Sequence, residues 1–185
     1  MNTLRDHFRY CLVVAAIAII TQNSAVWAFE RSDGVKVTCM IERNGQTKPA
    51  NEIWLGHGDS GDRHPELGGA AAVVRNDEQG WPVIYFDNVV FKGMLERDPH
   101  MSDFIFYHEC GHAKNDQLDE IQANCYAYIE LEKLGLLNAS KAAALAATHK
   151  KMLRLPSRYG GTGEVFWERT LECVQQQTQN SASAK

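Results

Sequence analysis

The chain has 185 residues, 44% of them hydrophobic, 23% charged and 9% aromatic, enough for one domain with a sizeable core and too few for a second of comparable size. Collagen-like, coiled-coil and wholly disordered chains are excluded by this composition. With 19 Lys and Arg against 23 Asp and Glu, the formal net charge is -4, which exerts no general pull toward nucleic acid or anionic membrane.

Arg5 and Arg9 flank a short polar start, an apolar run follows from Cys11 to Ile20, and Val26 and Ala28 are the small residues that signal peptidase requires. The run is too short to span a bilayer as a stable helix. Residues 1–28 therefore read as a secretory signal peptide cut before Phe29, and no stable membrane insertion is expected after cleavage. The cut removes Arg5, Arg9 and Asp6 from the 19 basic and 23 acidic residues, leaving 17 and 22 and a formal charge of -5. It also removes Cys11 and leaves Cys39, Cys110, Cys125 and Cys173, an even number suited to a periplasmic or secreted protein, where disulfides persist. Four cysteines allow three full pairings, and spacing does not choose among them.

Val35 to Glu42 alternates as a strand does, and Asn44-Gly45 after it is a hairpin turn signal. A returning strand is expected through Glu52 to Leu55. Residues 56–69 are glycine-rich, charged and aperiodic, and read as a loop; its Asp59, Asp62, His57 and His64 lack the ordered spacing of a calcium loop. Strands are expected at Ala70–Arg75 and Pro82–Phe86 around a turn at Asn76–Gly80, the second being either a buried core strand or an edge that accepts an extended peptide. Helical spacing of Phe104, Ile105 and His108 predicts a helix over 102–112 capped by Ser102. A polar connection at 113–117 leads to a helix over 119–134 stopped by Gly135. Further helices are expected over 140–153 and 164–177. The domain is thus placed at 29–177, with 178–185 a flexible polar tail.

His108-Glu109-Cys110-Gly111-His112 carries the chemistry. On a helix the two histidines stand one turn apart on one face and can reach a single metal ion, with Glu109 beside them as a general base. A catalytic zinc site needs a third protein ligand. Glu120 follows His112 by eight residues, and a tight turn brings it back to the imidazoles. Asp119 is the competing ligand, with a helix cap as its other role. Asn124, one turn beyond Glu120, can accept a hydrogen bond through its side-chain carbonyl from the far N–H of a ligand histidine. Cys110 lies two positions from each histidine, about 160° around the helix, and points away from the metal face. A Cys110–Cys125 bridge would clamp the two ligand helices, with Cys39–Cys173 then tying the early sheet to the last helix. Gly111 allows another element to approach closely. An oxyanion helper is also needed, and Tyr126, Tyr128, His149, Arg158 and Tyr159 are available, with His149 and Tyr159 first in order.

These residues resemble a zincin-type metallopeptidase, more closely the glutamate-ligand (gluzincin-like) branch. In that branch the HExxH helix is followed by a helix bearing Glu-x-x-Ala-Asp; here the matching stretch is Glu120-Ile121-Gln122-Ala123-Asn124, with an amide in place of the last carboxylate. Phe106 to His112 with Ala123-Asn124-Cys125 is also similar to small exported bacterial proteins with an HECGH signature and a later Ala-Asp-Cys. The resemblance implies zinc held by His108, His112 and Glu120, a Cys110–Cys125 bridge, and an α+β, minimal zincin-like fold. The function expected is a secreted or periplasmic zinc-dependent peptidase acting on a peptide or protein substrate. Glu109 would take the proton of the attacking water and pass it to the leaving amine. The alternative is a non-catalytic zinc-binding or protein-interaction module on the same fold.

Overall fold

A computed structural model describes residues 28–56, 64–68, 70–115 and 118–183. Residues 1–27 of the expected signal peptide 1–28 and the loop residues His57, Asp59 and Asp62 lie outside the described residues.

The short strands β1 (Phe29–Glu30) and β2 (Lys36–Val37) pair antiparallel. β3 (Met40–Arg43) and β4 (Gln46–Pro49) form a hairpin whose two turn residues, Asn44 and Gly45, have φ of 54° and 71°, the left-handed backbone that an Asn-Gly two-residue turn supplies. Such a turn makes the chain pair with itself at once, so the return strand is 46–49 rather than 52–55. The latter segment is β5 (Asn51–Leu55), which joins a different, three-stranded sheet of order β5-β7-β6 with β6 (Ala72–Asn76) and β7 (Pro82–Asp87). β5 runs parallel to β7 and β6 antiparallel to it. β7 is central, with Val83, Ile84, Phe86 and Asp87 buried, as its continuous apolar run requires. It is therefore no edge for a peptide; among these three strands β6 and β5 are the outer ones.

Asp87 ends β7 and caps α1 (Asn88–Arg97) by accepting from the Val89 and Val90 amides. α2 (Pro99–Lys114) begins three residues before the expected Ser102, because Asp98-Pro99 supplies a carboxylate cap on Met101 and a proline at the first helical position. The Ser102 hydroxyl instead donates to the Pro99 carbonyl. α3 (Glu120–Lys133) opens on a capping box between Asp119 and Gln122 and ends before Gly135, φ 70°. α4 (Ala139–Lys150) starts from the Asn138 cap, and α5 (Gly163–Ser183) continues six residues past Gln177. The outcome is an α+β architecture: small antiparallel and mixed sheets packed against helices, as the sequence predicts.

α2 lies on the three-stranded sheet, α3 packs along α2, and α5 packs on α3 and α4. Between sheet and helices, Phe29, Trp54, Phe86, Phe91 and Phe106 form one aromatic cluster, with Phe29 stacked on Phe106 at 4.4 Å and Trp54 on Phe86 at 4.5 Å between centroids. Stacked and edge-on pairs of this kind add about 0.5–1.5 kcal/mol each beyond the area they bury.

The disulfides are Cys39–Cys110 and Cys125–Cys173, which corrects the expected Cys110–Cys125 and Cys39–Cys173 pairs. The reason is directional. Cys110 sits on the α2 face opposite the histidines and so meets the segment between β2 and β3. Cys125 follows Asn124 on α3 and faces α5.

Candidate metal centre

The last two turns of α2 present His108 and His112 side by side, their ring centroids 4.8 Å apart. The capping box that starts α3 at Asp119 makes Glu120 its first residue, directly over the α2 C-terminal turn. Glu120 Oε2 lies 3.2 Å from His108 Nε2 and 3.4 Å from His112 Nε2. One donor atom from each of the three residues falls within 4.8 Å of the others, a compact cluster able to coordinate a metal ion. Asp119 spends its carboxylate on the Gln122 amide, which leaves Glu120 as the acid facing the imidazoles.

Two imidazoles and one carboxylate are a donor set that suits zinc, provided that Nε2 of each histidine offers a lone pair. For His108 a buried chain of hydrogen bonds sets this. The Thr170 hydroxyl donates to the Phe166 carbonyl at 2.9 Å and accepts from Asn124 Nδ2 at 3.2 Å. The Asn124 amide is thereby oriented with Oδ1 toward His108 Nδ1, 2.7 Å away. An acceptor there places the imidazole proton on Nδ1 and frees Nε2 for an ion. Thr170 and Asn124 are both fully buried, so water does not compete for these bonds.

Without an ion the cluster holds charge by itself. Burial works to raise the Glu120 carboxyl, but hydrogen bonds and charge from His108 and His112 overcome it and hold the group far below the usual carboxylate range. Burial works to lower His108, and the Glu120 hydrogen bond with the charges of Glu109 and Glu120 carries it above the ordinary imidazole value. Both shifts describe an acid and a base sharing protons that a divalent cation would displace.

Glu109 is 8% exposed. Burial pushes its carboxyl up, against the opposing pull of His108 and His112, in the direction a general base near neutrality needs. It lines a cavity with His108, His112, Glu120, Arg158 and Tyr159 on one side and the β6 residues 72–76 on the other. Arg158 Nε reaches Glu120 Oε1 at 3.2 Å, and the guanidinium lies over the Tyr159 ring at 4.8 Å. Tyr159 thus stands at the cavity. His149 does not: it is 3% exposed, donates from Nδ1 to the Leu145 carbonyl, and packs among Phe104, Phe166 and Trp167. Tyr126 lies against Gly111, where a β-carbon would come within 3.0 Å of its ring, so the glycine serves the close approach of α3 to α2. Tyr128, two turns beyond Glu120 on α3, packs toward Trp167 and does not line the cavity.

Sequence reasoning overlooked Thr170 and the part of β6. Nothing local marks Thr170, which meets Asn124 across 46 positions; β6 becomes the cavity wall only once β7 takes the centre of the sheet.

No protein-family profile matches the chain, and no curated protein or solved structure matches it significantly. The case for a metal site therefore stands on the residues and their geometry.

Proposed function

We propose that this chain is an exported zinc-binding protein that holds one ion with His108 Nε2, His112 Nε2 and Glu120 Oε2, and that it uses the ion to hydrolyse peptide bonds. The observation that carries the first part is the convergence of the Glu120 carboxylate on both imidazoles, with Asn124 and Thr170 holding His108 in the tautomer an ion needs. When bound, zinc supplies a Lewis acid that polarises a carbonyl and acidifies water. The chain's own residues supply the rest. Glu109, raised by burial, accepts the proton of the attacking water and returns it to the leaving amine. β6 offers an extended peptide backbone hydrogen-bonding groups along the side away from β7. Tyr159 faces the cavity, where its phenol can donate to the oxygen that gains charge. Arg158 grips Glu120 Oε1 and leaves Oε2 for the ion.

Two features favour a second reading, a non-catalytic zinc-binding module: Glu109 is largely buried, and position 124 carries an amide rather than the carboxylate that would make His108 a stronger donor. The three-residue cluster alone suffices for that module. Two disulfides are in keeping with an oxidising compartment, and among the described residues no helix is long and apolar enough to cross a membrane.

Elemental analysis of the oxidised protein and its Glu120→Ala variant, with a peptide-library digest by parent and Glu109→Gln, decides among these. One zinc per parent chain, lost in Glu120→Ala, with cleavage abolished by Glu109→Gln, is expected. Zinc without cleavage would leave the module, and a well-folded reconstituted parent without zinc would refute both.

A further inference from the structure

Glu52 projects from β5 into the core and is 6% exposed. Its Oε1 accepts from the Thr38 hydroxyl at 2.6 Å and from the Cys39 amide at 3.0 Å. Its Oε2 is buried with no hydrogen-bond partner among the described residues, and burial pushes the carboxyl up. A carboxylate left in this state is costly unless it takes up a proton or a cation reaches it.

Phe29 pairs with Val37, the residue before Thr38 and Cys39 whose hydroxyl and amide bind Glu52 Oε1, which sets the Phe29 backbone beside this carboxyl while Oε2 remains unpaired; the Phe29 N–H favours its charged form. The nitrogen is held there by its own residue. The Phe29 ring is 4% exposed, stacked on Phe106 and Trp54 and edge-on to Phe91, and its backbone pairs with Val37. This is also the nitrogen at which the signal segment is expected to be cut. Hydrolysis of the Ala28–Phe29 bond consumes one water, giving the hydroxyl to the Ala28 carbonyl and a hydrogen to the Phe29 nitrogen. The new amine then takes up a proton near neutrality.

We propose that Glu52 is a built-in binding site for the α-ammonium group that processing before Phe29 creates, so that export turns an incompletely paired buried carboxylate into a buried ion pair. The ammonium brings a positive charge and three N–H donors where the uncut chain offers one amide. The pair sits in a segment already fastened to the metal-bearing helix: the Ser32 amide and hydroxyl both donate to Asp103 of α2, Phe29 packs on Phe106, and Cys39, held by Glu52, is bonded to Cys110. Removing the leader therefore firms the side of α2 opposite His108 and His112. The inference rests on the expected cleavage position and is independent of zinc and of turnover.

The test compares oxidised chains beginning at Phe29 or, one residue longer, at Ala28, each with Glu52 or Glu52→Gln, beside the intact mass of the exported product. The product is expected to begin at Phe29. The Phe29 chain should melt above the Ala28 chain by at least ~4 °C at pH 7, an effect of the size that ~1–2 kcal/mol gives in a domain of this length, and Glu52→Gln should erase the difference. Reductive methylation of the Phe29 α-amine should be at least ~10-fold slower in the folded chain than in urea, as an amine locked in a buried pair requires, and this reading stands even where Glu52→Gln does not fold. A product beginning elsewhere, equal melting temperatures, a difference that survives Glu52→Gln, or unprotected methylation would each overturn the proposal.

Discussion

Thr170→Val probes the hydrogen-bond chain behind the site without touching a ligand. Valine fills nearly the same volume and removes only the hydroxyl. The Phe166 carbonyl keeps its helical partner, the Thr170 backbone N–H, so the loss falls on Asn124 Nδ2, which at 2% exposure has no water to turn to. An orphaned buried N–H costs about 1–3 kcal/mol, which lowers the melting temperature of the metal-free protein by roughly 2–12 °C for a domain of this size. The second effect is on the ion. Without Thr170 to receive Nδ2, the Asn124 amide can rotate and offer N–H₂ to His108 Nδ1, which moves the imidazole proton to Nε2 and blocks that ligand. Loss of a partner behind a metal-binding histidine costs about 10–100-fold in metal affinity. Chelator competition measures the affinity and scanning calorimetry the stability, with Thr170→Ser as the variant that keeps a hydroxyl and should keep zinc. A Thr170→Val protein that is destabilised but binds zinc as tightly as the parent would refute the claim that this chain sets the His108 tautomer.

Replacing Cys39 and Cys110 together by alanine opens a loop closed across 71 positions and should cost about 4 kcal/mol by chain entropy, read as a lower urea midpoint; a loss below about 1 kcal/mol would show that the bridge constrains little. Gly163→Ala should destabilise by about 1–3 kcal/mol or more, because its β-carbon would lie 1.9 Å from the His149 carbonyl oxygen; a neutral result would mean that the α4–α5 junction is looser than described. Burial raises the Asp103 carboxyl above its usual 3.8, against two hydrogen bonds from Ser32. The folded chain then binds more protons than the unfolded one above that pH, so the contribution is present below about pH 4 and is lost as pH rises through the folded value. Urea titrations between pH 4 and 7 should show Asp103→Asn with a stability profile less downward-sloping than the parent, and parallel profiles would reject the assignment.

The legible parts of this fold are those whose signals are local. Asn44-Gly45 announces a hairpin, Gly135 announces the end of α3, and the four-residue interval between His108 and His112 places both on one face of a helix. Glu120 is legible only in part: its place eight residues after His112 leaves Asp119 open beside it, and the preference for Glu120 comes from the resemblance. What failed was partner choice. The segment 52–55 has the composition of a strand but carries no mark of whether it pairs with the hairpin or with β7, and that question is settled by the sheet as a whole. α1 escaped notice because Val89, Val90 and Gly93 weaken its helical propensity, while its cap, Asp87, looks in sequence like the end of a strand. The disulfides were misassigned for a related reason: the side of α2 to which Cys110 turns was legible, but not which element lies there.

The observed pairing also changes how the site is held. Had Cys110 been joined to Cys125, a covalent bond would fix the two ligand helices to each other. Instead α2 is tied to the N-terminal segment through Cys39, and α3 to α5 through Cys173, so each of the two helices is bridged to its own outer layer and no disulfide joins one to the other. The placement of Glu120 over His108 and His112 is then set by the short connection from Lys114 to Glu120 and by non-covalent contacts, among them the Tyr126 ring against Gly111, the Lys114 bond to the Tyr126 hydroxyl, the Asn124 bond to His108, and the acid-imidazole contacts themselves. Contacts of that kind can adjust as an ion draws the three donors together, while each bridge ties its helix to the layer behind it. The observed pairing leaves the seam between α2 and α3 without a disulfide across it and places both bridges behind it.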